Sequence, residues 1–321
     1  MRAVWYERQG PAADVLVVGE LPDPEPGPGE VRVRLSRSGV NPGDTKKRSG
    51  YFGLPMPYPT VVPHSDGAGR VDATGPGVDG SRVGERVWVH GAQSYRRYGT
   101  AAELVCVPAA QAVPLPDSVS EDLGACLGIP GITAHRCLFA DGDLAGQRVL
   151  VHGVLGAVAS IAAQLARAAG ATVVGTVRRS ADLAQVPDAW CDQVVALDAD
   201  PAAEILAQGR VDRVVEVAFG ANINLNTAVV AGGAIIAAYA TGPGEVWLPF
   251  WDLLFANVTI RLCGSDDFPS EARCRAVRDL TEAAAAGRLT LPISEPLPLE
   301  RCAEAHDRVD AGSRQRVLLA T

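Results

Sequence analysis

The sequence predicts an α/β protein of two domains, in which an open, doubly wound parallel sheet follows a compact and mostly antiparallel β domain. Two observations predict this fold class. Residues 1–120 are dense in Gly and Pro and carry short alternating runs, such as 31–35 and 86–89. From about residue 121, alanine-rich helical periodicity alternates with short, continuously apolar runs. This alternation is typical of parallel strands covered by helices on both faces.

The second domain contains five apolar runs that we predict to be strands. They are Arg148–His152, Thr172–Val177, Gln193–Leu197, Val211–Val217 and Ala234–Tyr239. Apolar residues at i, i+3, i+4, i+7, i+8 and i+11 from Val158 predict one helix between the first two strands. A further strand over Thr259–Cys263 and a helix over 270–286 follow. Residues 287–321, with a β-like run at 316–319, return to short strands, so we expect the chain end to rejoin the first domain.

Composition excludes several classes of protein. The chain has 29 basic and 37 acidic residues, and its net charge of -8 would repel nucleic acid unless a local basic patch overcame it. The seven cysteines are scattered and never spaced C-x-x-C, so we expect neither a disulfide framework nor a structural zinc site. The chain start lacks a signal-peptide core, and the longest apolar stretch, 228–240, is too short to cross a bilayer. We therefore expect a cytoplasmic protein.

The strongest local signal is a glycine turn between a predicted strand and a predicted helix, within residues 149–171. Its glycines lie where a dinucleotide pyrophosphate would meet the free N–H groups of the helix N-terminus. The spacing G-x-x-G-x-x-A is weak by itself, because Ala157 and Ala159 replace more usual glycines and add methyl groups there; a purely structural turn is the alternative. The flanking strand and helix favour a cofactor. We predict contacts at Gly153, Leu155, Gly156, Ala157 and Val158.

The end of the next strand indicates which dinucleotide binds. It reads Arg178-Arg179-Ser180, with no acidic residue where NAD would need one for its ribose 2′-hydroxyl. Two guanidinium groups and a hydroxyl match a 2′-phosphate instead, so the sequence predicts NADPH over NADH. A solvated basic helix start is the alternative.

Five motifs occur in order along the chain: SGVNPGD at 38–44, PHSDGAG at 63–69, VGERV at 83–87, GIPGITA at 128–134, and the glycine turn. Together they resemble the zinc-independent medium-chain dehydrogenase/reductase superfamily, specifically its NADPH:quinone oxidoreductase, or zeta-crystallin-like, branch. The resemblance implies a GroES-like catalytic domain from 1–122 and 287–321 and a Rossmann domain from 123–286. It further implies an active-site cleft between them and a homodimer that extends the sheet through the strand at 259–263.

The resemblance also bears on metals. Zinc-containing members of the superfamily carry a cysteine where Asn41 stands, and this chain has no cysteine before Cys106. His64 and Asp66, with Asp44 nearby, are a conceivable ligand set, but without a thiolate it is incomplete. We interpret residues 64–67 as a polar turn that supports the cleft floor, and we predict no metal.

Further site residues follow from position and from the resemblance. Ala218, Ala240 and Thr241 follow predicted strands at the edge where open α/β sheets bind ligands. The resemblance implies cofactor contacts at Thr133 and at Arg316, which Gln315 precedes in place of a glycine.

Two residues are predicted to act in catalysis. Asn41 would lie beside nicotinamide and substrate, binding the ribose or donating to a developing oxyanion; the alternative is an Asn-Pro turn start. Tyr51 would donate a proton; the alternative is an apolar wall of the cleft.

The predicted chemistry is hydride transfer. Without a Lewis acid the substrate must already be electrophilic, which favours quinones and α,β-unsaturated carbonyls. The sequence therefore predicts an NADPH-dependent quinone or enone reductase. An enoyl-thioester or biosynthetic enone reductase on the same scaffold, and an NADPH-binding sensor or structural protein with little turnover, remain alternatives.

Overall fold

A computed structural model describes residues 1–321, which divide into two compact units. The first comprises Met1–Ile129 and Thr281–Thr321, and the second comprises Pro130–Leu280. The sequence placed these boundaries at residues 122 and 287. The first unit reaches beyond residue 122, and the Ile129 backbone N–H at its boundary donates to the Asp66 carboxylate at 2.8 Å.

The strands and helices are numbered in chain order. The strands are β1 Arg2–Trp5, β2 Val17–Glu20, β3 Glu30–Gly39, β4 Asp66–Thr74, β5 Arg86–Val89, β6 Leu104–Pro108, β7 Ala112–Pro114, β8 Arg148–Val151, β9 Thr172–Val177, β10 Gln193–Ala196, β11 Val211–Glu216, β12 Val230–Ala238, β13 Thr259–Leu262, β14 Leu297–Pro298 and β15 Leu318–Ala320. The α-helices are α1 Ala12–Val15, α2 Pro42–Ser49, α3 Glu121–Gly124, α4 Ile132–Phe139, α5 Ala157–Ala168, α6 Pro201–Leu206, α7 Phe219–Val229, α8 Phe250–Phe255, α9 Ser270–Ala285 and α10 Cys302–Asp310.

The first unit is built on a mostly antiparallel sheet in the order β14-β15-β3-β4-β5-β7, with β6 also paired to β3. Alternation along β3 explains its packing, because Val31, Val33 and Leu35 are buried while Arg32 and Arg34 point to the other face. The chain end supplies β15, which pairs with β3 and begins two residues later than the predicted run. Residues from both ends of the chain therefore share one sheet.

The second unit is a six-stranded, all-parallel sheet in the order β10-β9-β8-β11-β12-β13. The continuously apolar strands are buried on both faces: Leu150 and Val214 on one face, and Val149 and Val215 on the other, have no exposed surface. The strand order reverses between β8 and β11, where doubly wound sheets bind ligands beyond the carboxyl ends of the strands. The predicted fold class is confirmed.

Strand boundaries differ from the prediction in a regular way. The carboxyl ends of β8, β10, β11, β12 and β13 each fall one residue before the predicted end. The start of β12 is four residues earlier than predicted, at Val230. The register of β12 with β11 shifts between Val230 and Ile235. Gly232 and Gly233 lie in this stretch and interrupt the apolar sequence pattern, and Gly233 has φ +78°. No helix combines the length and apolarity needed to span a membrane.

Candidate active site

The glycine turn connects β8 to α5 in the way the sequence predicts. Gly153 has φ +66°, and a Cβ there would lie 3.2 Å from Val217, so the position favours glycine on both grounds. Gly156 is the N-cap of α5, and its N–H donates to the Gly153 carbonyl at 2.8 Å. The first N–H groups of α5 have no intrahelical acceptor, which leaves them available to an anion.

The two alanines at the start of α5 differ in position. Ala159 is fully buried, so its methyl group packs into the core of the unit. Ala157 is only half-buried. The expectation that both alanines add a methyl group at the turn is therefore wrong for Ala159, because its side chain points inward.

A carboxylate that sequence reasoning missed, that of Asp198 after β10, contacts the segment that follows β9. Arg178 is exposed and makes no ion pair or hydrogen bond, whereas Arg179 lies 3.3 Å from Asp182. Ser180 donates to Asp198 from its backbone N–H at 2.9 Å and from its hydroxyl at 2.7 Å. These bonds, and the nearby Arg179 guanidinium, hold the pKa of the Asp198 carboxyl below its usual value. Of the three predicted phosphate-binding side chains, only that of Arg178 has no ion pair or hydrogen bond within the protein.

Parallel pairing explains the placement of Asp198. Val177 at the end of β9 lies opposite Ala196 at the end of β10, so the residues that follow the two strands meet at the same edge. The only sequence signal was an acidic residue just after the next strand along the chain.

Three predicted cofactor residues also meet at this edge. Phe219, next to Ala218, donates its N–H to the Ala240 carbonyl at 3.1 Å, and Gly220 donates to the Thr241 hydroxyl at 3.1 Å. On α4 of the same unit, the Thr133 hydroxyl is buried and has no hydrogen-bond partner. A buried hydroxyl without a partner is costly, so this atom fits a site that a polar ligand completes.

In the first unit, Asn41 lies in a buried polar cluster. Its Nδ2 donates to Asp66 at 2.8 Å, and the second Asp66 oxygen accepts the Ile129 N–H. Arg316 donates to the Val40 carbonyl and lies 3.4 Å from Asp66. Arg316 was predicted to bind cofactor, but it is buried and has its partners inside this unit.

Register and two glycines make this cluster possible. Gly39 in β3 lies opposite both Asp66 in β4 and Leu318 in β15, which brings segments from both chain ends together. A Cβ on Gly128 would lie 2.1 Å from the Asp66 carboxylate, so only glycine allows that close approach.

One carboxylate, that of Asp44, and one phenol, that of Tyr51, follow Asn41 in the sequence. The Asp44 carboxylate accepts the Asn41 backbone N–H at 2.8 Å, and burial, followed by the nearby Asp66, raises the pKa of Asp44 from 3.8 to about 7. Tyr51 lies outside the buried cluster: it is exposed, with the Lys46 ammonium 4.7 Å from its ring centroid.

The structure pairs His64 with a residue that the sequence did not indicate. The two Nε2 atoms of His64 and His306 are 2.9 Å apart, and ligand-type atoms of these residues and Cys302 lie within 4.8 Å of one another. Residues 64–67 are predicted to form a polar turn that supports the cleft floor; His64, Ser65 and Asp66 are fully buried, and the turn is shorter than predicted because Asp66 begins β4.

Hydrogen bonding and burial define the state of this histidine pair. Burial, with a smaller contribution from Arg48, lowers the pKa of His306 to about 3, and burial also lowers the pKa of His64. Both rings are therefore neutral near pH 7. His64 Nδ1 is 2.9 Å from the Ser38 hydroxyl, which is 2.8 Å from that of Thr100. Thr100 donates to a backbone carbonyl, so Ser38 donates to Thr100 and accepts from His64.

Comparisons with known proteins agree with this architecture. Residues 27–117 match the alcohol dehydrogenase GroES-like domain. The chain is 28% identical to a quinone oxidoreductase of Pongo abelii, over 98% of this chain and 95% of that protein. A mycobacterial quinone oxidoreductase structure has a TM-score of 0.86 at 26% identity, with 100% of both chains covered.

Two further solved structures differ in the cofactor that they name. A mycobacterial structure complexed with NADPH has a TM-score of 0.86 at 26% identity, with 100% of each chain covered. A structure described as an NAD-dependent alcohol dehydrogenase has a TM-score of 0.87 at 28% identity, again with 100% of each chain covered.

The fold and these relatives together indicate an NAD(P)-dependent oxidoreductase with a GroES-like and a Rossmann-type domain. This confirms the predicted class of enzyme and the predicted resemblance. Quinone oxidoreductases are among the homologues of this chain over nearly its whole length, and the GroES-like domain and the structural neighbours are of the kind found in the medium-chain dehydrogenase/reductase superfamily.

Proposed function

We propose that the protein is an NADPH-dependent, metal-independent reductase that delivers hydride to a quinone or an α,β-unsaturated carbonyl compound. One observation carries the choice of cofactor. The exposed Arg178, which has no partner in the chain, follows β9 at the sheet edge that also holds the glycine turn. An uncommitted guanidinium group at that edge suits a 2′-phosphate.

The remaining residues at the edge suit the rest of the cofactor. The backbone of Leu155, Ala157 and Val158 at the start of α5 suits the pyrophosphate. The hydroxyl of Thr133 would gain the hydrogen bond that it lacks within the chain. When bound, NADPH supplies a hydride from its nicotinamide ring.

Asn41 is the proposed group for orienting the acceptor. Asp66 accepts one hydrogen of its side-chain amide, which fixes the plane of that amide, and the second hydrogen is left to donate to an oxygen. Hydride addition to a conjugated carbonyl places negative charge on such an oxygen, and a pre-oriented donor stabilises it. The reduced product takes up one proton. We propose that Tyr51 donates it; because Tyr51 is exposed, solvent water is the alternative donor.

The proposed independence from metal rests on the donor atoms present. At position 41 an amide replaces a thiolate, and it is committed to Asp66. His64 donates and accepts within a hydrogen-bond chain of neutral groups. The Cys302 thiol also lies near His64 and His306, but burial raises its pKa and keeps it neutral, whereas zinc binds a thiolate.

We further propose a homodimer through the free edge of β13. Edge strands expose unpaired backbone groups, and β13 has a second strand on one side only. The adjoining segment carries exposed apolar side chains: Trp247, Leu248, Phe250, Trp251, Leu254, Phe255 and Leu262. A patch of this kind is typical of an interface, and a second copy supplies a matching edge.

Light scattering after gel filtration tests the dimer. The wild type should elute at twice the chain mass of 33.5 kDa. Leu262→Glu should shift it to the monomer, whereas Leu54→Glu, at an exposed leucine of the other unit, should not. A monomeric wild type contradicts the dimer.

A substrate panel tests the activity. Loss of NADPH absorbance should be fastest with 1,4-naphthoquinone or simple enones. Faster turnover of acyl-thioesters would point to an enoyl-thioester reductase instead. Tight NADPH binding without oxidation by any acceptor would favour a sensor or structural role and would contradict the proposed reductase.

A further inference from the structure

A buried polar chain runs behind the glycine turn, entirely within Pro130–Leu280. It begins at Glu216, the last residue of β11, whose carboxylate is fully buried. Three N–H groups donate to it: the Ala218 backbone at 2.5 Å, the Asn222 side chain at 3.0 Å and the Asn226 side chain at 2.7 Å. The two asparagines come from α7, and the unusual run Asn-Ile-Asn-Leu-Asn at 222–226 supplies them.

The chain continues from Asn226 to the turn. The Asn226 Oδ1 lies 2.8 Å from His152 Nε2, and His152 Nδ1 lies 3.0 Å from the Thr176 hydroxyl. The Thr176 hydroxyl accepts the Gly153 backbone N–H at 3.2 Å, and the Thr176 carbonyl accepts the Val154 N–H at 3.0 Å. Two hydrogen bonds to Thr176 therefore hold the start of the turn.

Each bond in this chain has one consistent direction. A carboxylate only accepts, so Asn226 presents its NH₂ to Glu216 and its oxygen to His152. In its neutral form, His152 then carries its proton on Nε2, and the Thr176 hydroxyl donates to the bare Nδ1. This orientation aims the Thr176 lone pairs at the Gly153 N–H. Glu216 thus determines the direction of each hydrogen bond from Asn226 through His152 and Thr176 to the glycine turn.

We propose that Asn226 is a positioning residue for cofactor binding: the chain Glu216–Asn226–His152–Thr176 fixes the Gly153 turn in the geometry that receives the pyrophosphate. The proposal rests on the proposed function. Asn226 itself is fully buried under the turn, so it acts on the cofactor only through His152 and Thr176. A leucine at this position would keep the volume but remove both hydrogen bonds.

Asn226→Asp is the more specific test because it nearly preserves the shape of the side chain and replaces its NH₂ donor by a carboxyl oxygen that titrates. The substitution would place a second carboxyl group against Glu216, and such pairs share one proton at low pH and lose it as the pH rises. The titratable groups that face the cluster are Glu216 from β11, His152 after β8, and Tyr239 after β12. The strand β9 contributes only the uncharged Thr176.

The test is the dissociation constant of NADPH at pH 7 and pH 9 for the wild type, Asn226→Asp and Asn224→Asp. Asn224 is exposed on the same helix, so it is a matched control for the added charge. Ratios between variants at one pH cancel the titration of the cofactor itself. We expect Asn226→Asp to bind NADPH about tenfold more weakly than the control at pH 9, the effect of about one charged hydrogen bond, with a smaller difference at pH 7. We also expect kcat at saturating NADPH to change much less than KM. Equal constants for the two variants at both pH values would overturn the proposal.

A second measurement separates this proposal from the proposed function. Long-range proton–nitrogen NMR of the cofactor-free protein reports the tautomer of each of the five histidines. We expect the Nε2–H form for His152 in the wild type and in Asn224→Asp. The Nδ1–H form of His152 in the wild type would refute the proposed hydrogen-bond chain even if the protein binds NADPH. Failure of the wild type to bind NADPH would instead refute the proposed function.

Discussion

Replacing Asp44 by asparagine should change how the stability of the first unit depends on pH. Burial and the neighbouring Asp66 raise the pKa of Asp44 from 3.8 to about 7 in the folded protein. The folded state therefore holds a proton that the unfolded chain has released between about pH 4 and pH 7. This proton stabilises the fold at low pH, and its contribution is lost as the pH rises through 7.

The size of the effect follows from the shift of about three pKa units, which corresponds to roughly 4 kcal/mol of folding free energy. The amide introduced by Asp44→Asn does not titrate, and its oxygen can still accept the Asn41 N–H. Asp44→Asn should therefore match the wild type near pH 4 and exceed its stability by up to about 4 kcal/mol at pH 8.

Urea unfolding of wild type and variant between pH 4 and pH 8, followed by tryptophan fluorescence, measures this difference. Asp14→Asn is the control, because it removes an exposed carboxylate from the same unit. The reasoning is refuted if the stability difference between Asp44→Asn and the wild type is the same at both ends of this range.

Three other predictions follow from the site. Arg178→Ala should raise KM for NADPH about tenfold in steady-state kinetics and leave KM for NADH unchanged, while Arg179→Ala, which loses a guanidinium already paired with Asp182, should have the smaller effect. Gly153→Ala should lower the free energy of unfolding in urea by about 1–2 kcal/mol, because alanine is strained at φ +66°; an unchanged value would contradict the turn geometry. Asn41→Ala should lower kcat about 100-fold with little change in KM for NADPH, as expected for a donor to a developing oxyanion; an unchanged kcat would remove Asn41 from catalysis.

Local patterns predicted most of the fold. Continuous apolar runs located the parallel strands because both faces of that sheet are buried. The strand ends were predicted one residue too late because apolar residues continue past the last residue of the strand, as at Leu197 after β10 and Val217 after β11. The early start of β12 was missed because two glycines interrupt its apolar pattern.

In the candidate site, too, features that depend on neighbouring residues in the sequence were predicted, and features that depend on distant contacts were missed. The glycine turn is a local feature of strand, turn and helix, so its residues were predictable. Asp198 beside Ser180 depends on the pairing of β9 with β10. The pairing of His64 with His306 joins residues 242 positions apart, which no single-sequence pattern indicates. The burial of Arg316 likewise depends on β15 lying against β3.

Direct titration of the wild-type protein with NADPH and with NADH tests the central claim. Fluorescence of the bound nicotinamide gives both dissociation constants under the same conditions. An uncommitted Arg178 at the sheet edge predicts that NADPH binds at least about tenfold more tightly. Equal affinity for the two cofactors, or tighter binding of NADH, would contradict the account.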